Sequence, residues 1–212
     1  MSDSIKDQLA NVLGRRDEAP NIALAVKISK NANKKAVEEL IGLMKHKSLR
    51  VRHDAIKVLY EIGERKPELI TKYAEDFLKL FAQKDNLMKW GAMSALSAIS
   101  KTNPELIAIH LSSILDAMDQ GSVITRDHGI FILCHVASIK KYHDDCMELL
   151  MEQIQKAPVN QVPMYAEKTV EVISPPYAKR FEIILSSRHD VMQIPSKEKR
   201  IEKLLKSLLK AK

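Results

Sequence analysis

Chemistry in this chain would first show in the placement of histidine, cysteine and carboxylate side chains. Three His-Asp dipeptides occur: His53-Asp54, His143-Asp144 and His189-Asp190. A His-Asp pair can serve a metal-dependent phosphohydrolase, but such a pair normally follows an apolar helix that buries it beside the ion. His53-Asp54 instead stands in the charged context Arg50-Val51-Arg52. His128 and His135 lie seven residues apart on related sides of one helical segment, and His143 follows with Asp144 and Asp145. Imidazoles and carboxylates bind zinc or iron. Ligands nearly two helical turns apart do not meet at one ion unaided, so solvated or hydrogen-bonded histidines are expected here. Cys134 and Cys146 flank the loop around Ile139–Tyr142, five residues before it and four after it. A disulfide is conceivable, but two small buried thiols are the expectation. Cys134 and His135 are not expected to form a nucleophile pair, because adjacent helical residues point about 100° apart.

Composition removes other chemistries. The six glycines (14, 42, 63, 91, 121, 129) are never closer than eight residues, so no phosphate-cradling glycine loop can be written. Two cysteines make no zinc quartet. No apolar run approaches the ~20 residues of a membrane span, and the opening Met1–Ala10 has no signal-peptide core. No catalytic residue, cofactor or metal is expected, and a cytoplasmic location is.

The net charge of +7 is uneven. Residues 27–66 carry +6 and residues 196–212 carry +5, whereas 67–195 carry −3 and 1–26 carry −1. A protein that tracks a phosphate backbone along its length should not have an acidic middle. Arg50, Arg52, Lys203, Lys206 and Lys210 are the candidate phosphate contacts, and the expectation for them is weak binding lost near physiological salt.

The elements that must position these side chains repeat every 37 residues. Lys66-Pro-Glu-Leu-Ile70 returns as Asn103-Pro-Glu-Leu-Ile107, and the same shift aligns segments beginning at Val51, Met88, Thr125 and Val162. One aligned column reads Ala55, Ala92, Gly129 and Ala166; the next Leu59, Leu96, Leu133 and Val170; the third Ile62, Ile99, Val136 and Ile173. A small residue followed four and seven later by large apolar ones is a single stripe of an α-helix. A second amphipathic helix precedes each copy, with stripes Val37/Leu40/Ile41/Met44, Tyr73/Phe77/Leu78/Phe81, Leu111/Ile114/Leu115/Met118 and Met147/Leu150/Met151/Ile154. Pro67 and Pro104 suit a first helical turn. One such hairpin cannot bury its apolar faces alone, so the hairpins must stack.

This pattern resembles a HEAT-repeat protein of the armadillo-like α-solenoid group. The resemblance rests on the second-helix motif: Asp before the turn (Asp85 in one copy), a basic position (Arg52, Lys89, Arg126), a small residue, then a Leu-x-x-Ile ending. It fails at Pro163 in the fourth copy. The implied fold is an all-α solenoid of about five antiparallel hairpins over residues 1–212. Residues 1–32 form a degenerate capping hairpin, 33–187 the repeats and 196–212 a basic amphipathic terminal helix. HEAT-like hydroxylases that hold two irons use repeated His-Glu dipeptides, and this chain has none.

The resemblance also implies a concave face lined by the second helices. Opposite Ala55 on that helix stand His53, Lys57 and Tyr60, with Trp90 and Ser94, Asp127 and Phe131, and Lys168 in the same columns of later copies. The aromatic members are larger than a plain solvated face needs, so this stripe is the candidate docking surface for a protein partner. The expected function is a non-enzymatic interaction module or scaffold. The alternative is a nucleic-acid-binding member resembling the solenoid alkylpurine DNA glycosylases. Those need a basic groove, clustered aromatics and a catalytic Asp, for which Asp127 would be the candidate.

Overall fold

A computed structural model describes residues 4–190 and 192–210, the last two by backbone alone. The described residues are all-α, without strands. The chain divides into two compact units, residues 1–129 and 130–212.

The first unit contains α1 (Ala19–Asn31), α2 (Lys34–Leu43), α3 (Leu49–Arg65), α4 (Ala74–Leu78), α5 (Asn86–Ser100), α6 (Pro104–Ala108), α7 (Leu111–Gln120) and the start of α8 (Val123–Ala137). Starts at Leu49, Asn86 and Val123 mark two successive steps of 37 residues. α3 packs side by side with α5, and α1 and α2 both pack on α3. Ala55, Leu59, Ile62, Ala92, Leu96 and Ile99 are all fully buried, as their columns require. Local chemistry fixes where helices begin. The Asn33 carboxamide accepts from the Ala36 N–H at 3.1 Å. The Asp85 carboxylate accepts from Leu87 N–H at 3.0 Å and Met88 N–H at 3.4 Å.

Three expectations are corrected in this unit. The N-terminal segment is not a helical hairpin: Ile5–Gln8 is a single 3₁₀ turn leading through turns to α1. A run of four residues cannot meet the nucleation cost of an α-helix alone. The middle repeats are three-part units, not hairpins. Pro67 opens a separate 3₁₀ turn (Pro67–Leu69) and Pro104 opens the short α6, each ahead of the next helix. Finally, the stripe Tyr73/Phe77/Leu78/Phe81 buries only Phe77 fully. The buried set is Ala74, Phe77 and Leu80, spaced by three, because Thr71–Tyr73 and Lys79–Ala82 wind as 3₁₀ helix around α4.

The second unit holds the remainder of α8, then α9 (His143–Lys156), α10 (Val162–Val170), α11 (Pro175–Asp190) and α12 (Pro195–Lys210). α9 packs on α10 and α11 around fully buried Met147, Leu150, Met151 and Ile154. The fourth copy of the motif departs from its register. α10 ends at Val170, leaving Val170 and Ile173 only half-buried. Ser174 precedes Pro175-Pro176, and a residue before proline is pushed out of the helical region. α12 lies on α10 and α11 and buries Ile201 completely. Arg200 clamps it with a two-bond pair to Glu167, at 2.7 and 2.5 Å. The terminal helix therefore covers the end of this unit.

Candidate functional site

α3 and α5 can build a common face because their backbones approach closely. A Cβ on Gly91 would stand 2.6 Å from Ile56 Cγ1, so glycine is what this crossing admits. The approach sets Tyr60 of α3 against Trp90 of α5, with ring centroids 5.5 Å apart and planes inclined at 51°. Both rings are half-buried, so each leaves part of its surface to solvent. This is the favoured tilted geometry for an aromatic pair.

Charged groups around the pair are already committed. The Lys57 ammonium pairs with Glu18 at 2.8 Å and Glu61 at 3.0 Å, lies 4.8 Å from the Tyr60 ring centre, and is only 13% exposed. Burial opposes its charge, but the bonds to Glu18, Tyr60 and Glu61 outweigh that and hold it protonated well above the usual lysine range. Burial raises the Glu61 carboxyl, and Arg65 and Lys57 more than reverse it, leaving it lowered. His53 meets Asp85 at 2.8 Å. Asp85 is lowered too, its desolvation overcome by His53 and by the capped backbone amides. The face thus presents an aromatic pair inside a frame of satisfied ion pairs.

The other candidates fall in several places. Ser94 is 3% exposed and returns its hydroxyl to the Trp90 carbonyl at 2.9 Å, so it is not part of an open face. The reason is that residues 91–100 of α5 are buried on every side. Lys57 is likewise an internal ion-pair partner and not a free cation. Asp127 is half-buried at the start of α8. Phe131 and Lys168 belong to the second unit, where Phe131 is half-buried and Lys168 pairs with Glu171 at 2.8 Å. Of the whole stripe, the fold brings His53, Lys57, Tyr60 and Trp90 together.

Arg50 is exposed and lines an open cleft of about 430 Å³ with Asn11, Arg15, Arg16, His53 and Asp54. The Asp54 oxygens receive the Asn11 N–H and the Asn21 carboxamide, both at 2.8 Å. His53 and Asp54 therefore make separate contacts, His53 with Asp85 and Asp54 with Asn11 and Asn21. Arg52 is half-buried, with its Nε shut off from solvent and unbonded. Lys203 and Lys206 are exposed on α12, and the Lys210 side chain lies outside the described residues.

Both nitrogens of His143 are occupied, by the Ala137 carbonyl and the Ser174 hydroxyl, each at 2.8 Å. Burial lowers the His128 pKa. Cys134 and Cys146 are free and buried, and desolvation pushes both thiols up to about 12. Such thiols are poor nucleophiles. Sequence reading missed one group, His189 with Glu198 and Glu202, whose ligand atoms lie within 4.8 Å of one another. The i,i+4 spacing of the two glutamates was a visible signal. The return of α12 alongside His189 was not.

No family model matches the chain, and no curated protein matches it. Solved structures do. A designed armadillo repeat protein in complex with the peptide (KR)4 aligns over 97% of this chain and 100% of its own, at TM-score 0.64 and 16% identity. An engineered protein aligns over 98% and 97%, at TM-score 0.62 and 16% identity. Kap121p bound to Pho4p aligns over 97% of this chain at TM-score 0.63 and 14% identity, the match spanning 23% of that longer chain. At such identities the likeness is one of fold. The fold shared is that of an armadillo/HEAT-like α-solenoid.

Proposed function

We propose that the protein is a non-enzymatic interaction module that docks a segment of a partner protein on the face shared by α3 and α5. The observation that carries this reading is the half-exposed Tyr60–Trp90 pair framed by charges that are already paired. An aromatic pair of this kind offers apolar area to a side chain, and the satisfied ion pairs around it need no new desolvation. Two structural neighbours support it by their own complexes, one with the peptide (KR)4 and one with Pho4p. Panning a displayed peptide library against the full chain tests it. Enriched peptides should shift the emission of Trp90, the single tryptophan. Trp90→Ala should weaken them by about 30-fold or more, the loss of a central aromatic anchor. Equal binding by the variant would sink the reading.

A second reading, nucleic-acid binding, draws on the cleft that gathers Arg15, Arg16 and Arg50. It requires retention on DNA or RNA at ~0.15 M salt that Arg16→Glu with Arg50→Glu abolishes. Binding seen only at low salt would reject it. The reducing, cytoplasmic setting we propose rests on the two buried free thiols.

A further inference from the structure

His189 stands in the last turn of α11, while Glu198 and Glu202 stand one turn apart on α12 and therefore share a face. Because α12 packs back on α11, that face meets the imidazole. His189 Nε2 lies 3.7 Å from Glu198 Oε1 and 3.8 Å from Glu202 Oε1. Neither distance is a hydrogen bond. The nitrogen is nevertheless buried and has no hydrogen-bond partner, a state that native proteins seldom leave unexplained. Two atoms each bound about 2.1 Å from one ion at a tetrahedral angle stand roughly 3.4 Å apart. The two nitrogen–oxygen spacings here are a few tenths of an ångström wider than that, and all three ligand atoms lie within 4.8 Å of one another.

We propose that His189, Glu198 and Glu202 form a binding site for a divalent first-row cation, zinc foremost. The donor set decides the class. A neutral imidazole nitrogen disfavours magnesium and calcium, and one nitrogen with two carboxylates suits zinc. Three protein ligands leave a fourth position for water. Charge agrees: two glutamates at i,i+4 repel each other on α12, and a divalent ion between them removes that repulsion. Lys206 lies 3.7 Å from Glu202 Oε2, the other oxygen of that carboxylate, leaving Oε1 for the ion. Bound there, the ion ties the end of α11 to the middle of α12 and holds the terminal helix on its unit.

The test uses the full chain without an affinity tag, stripped with chelator, and titrated with ZnCl₂ by calorimetry in a non-coordinating buffer. One zinc ion per chain is expected, with a rise in the thermal midpoint that chelator reverses. His189→Ala and Glu202→Gln should each weaken binding by at least about tenfold, as loss of a ligand implies. His110→Ala, at a half-buried histidine of the first unit beside Glu75, should leave it unchanged, as should a large excess of Mg²⁺. If His189→Ala fails to fold, Glu198→Gln and Glu202→Gln carry the test, since they preserve shape. No saturable binding, or binding untouched by these variants, overturns the proposal.

Discussion

Gly91→Ala and Gly42→Ala make the same chemical change and should move stability in opposite directions. At position 91 the new methyl would meet Ile56 Cγ1 at 2.6 Å and Cγ2 at 3.3 Å. Carbon atoms settle at about 3.5–4.0 Å, so Ile56 must retreat by roughly 1 Å. It has little freedom to do so, being fully buried on α3 and β-branched. Overpacking of this kind costs about 1–3 kcal/mol. Replacing a helical glycine by alanine returns about 1 kcal/mol. The net expectation is a destabilisation of up to about 2 kcal/mol. Gly42, exposed on α2, has nothing within 4 Å of an added Cβ. There the alanine should stabilise by about 0.5–1 kcal/mol. Urea unfolding, followed by far-UV circular dichroism and by Trp90 emission, reads both effects. A Gly91→Ala protein more stable than its parent, by the gain expected at Gly42, would refute the close crossing of α3 and α5, and with it the geometry that pairs Tyr60 with Trp90.

Ala92→Leu, at a fully buried position of the same helix, should cost about 1–3 kcal/mol in the same assay, and an unchanged midpoint would count against the repeat alignment. Ala32 ends α1 at φ 48, a left-handed conformation that suits glycine, so Ala32→Gly should raise stability by about 1 kcal/mol; a loss would contradict that cap. The carboxyls of Asp85, Glu61 and Glu167 all sit below their ordinary values. The unfolded chain therefore takes up protons first on acidification, and stability present above about pH 4.5 should fall steadily below it. A urea midpoint constant between pH 6 and pH 3 would deny this. Cys134 and Cys146 should resist a thiol reagent at pH 8 in the folded protein and react at once in urea, whereas fast native labelling would show them accessible.

The stripe of small, large and large apolar residues determined the helices that carry the core. Burying Ala55, Leu59 and Ile62, or Ala92, Leu96 and Ile99, demands one helical face and nothing else, so local order along the chain was enough. The 37-residue step of their starts was written in the same columns. What precedes those helices was not legible. Pro67 and Pro104 announce a helical first turn but not whether that turn continues, and only contact with α5 selects the short pieces that bury Leu69, Ile70, Ala74, Phe77 and Leu80 together. The end of α10, by contrast, could be read from Ser174-Pro175-Pro176, because proline acts through its immediate neighbour. The face and the ligand set belong to tertiary structure for a common reason. Tyr60 and Trp90 are 30 residues apart, Lys57 and Glu18 are 39, and His189 faces glutamates of another helix. Sequence fixes which side of its own helix each residue occupies. Which other helix that side meets is decided by how the helices pack, through the fit of Gly91 to Ile56 and of Ile201 into its buried seat.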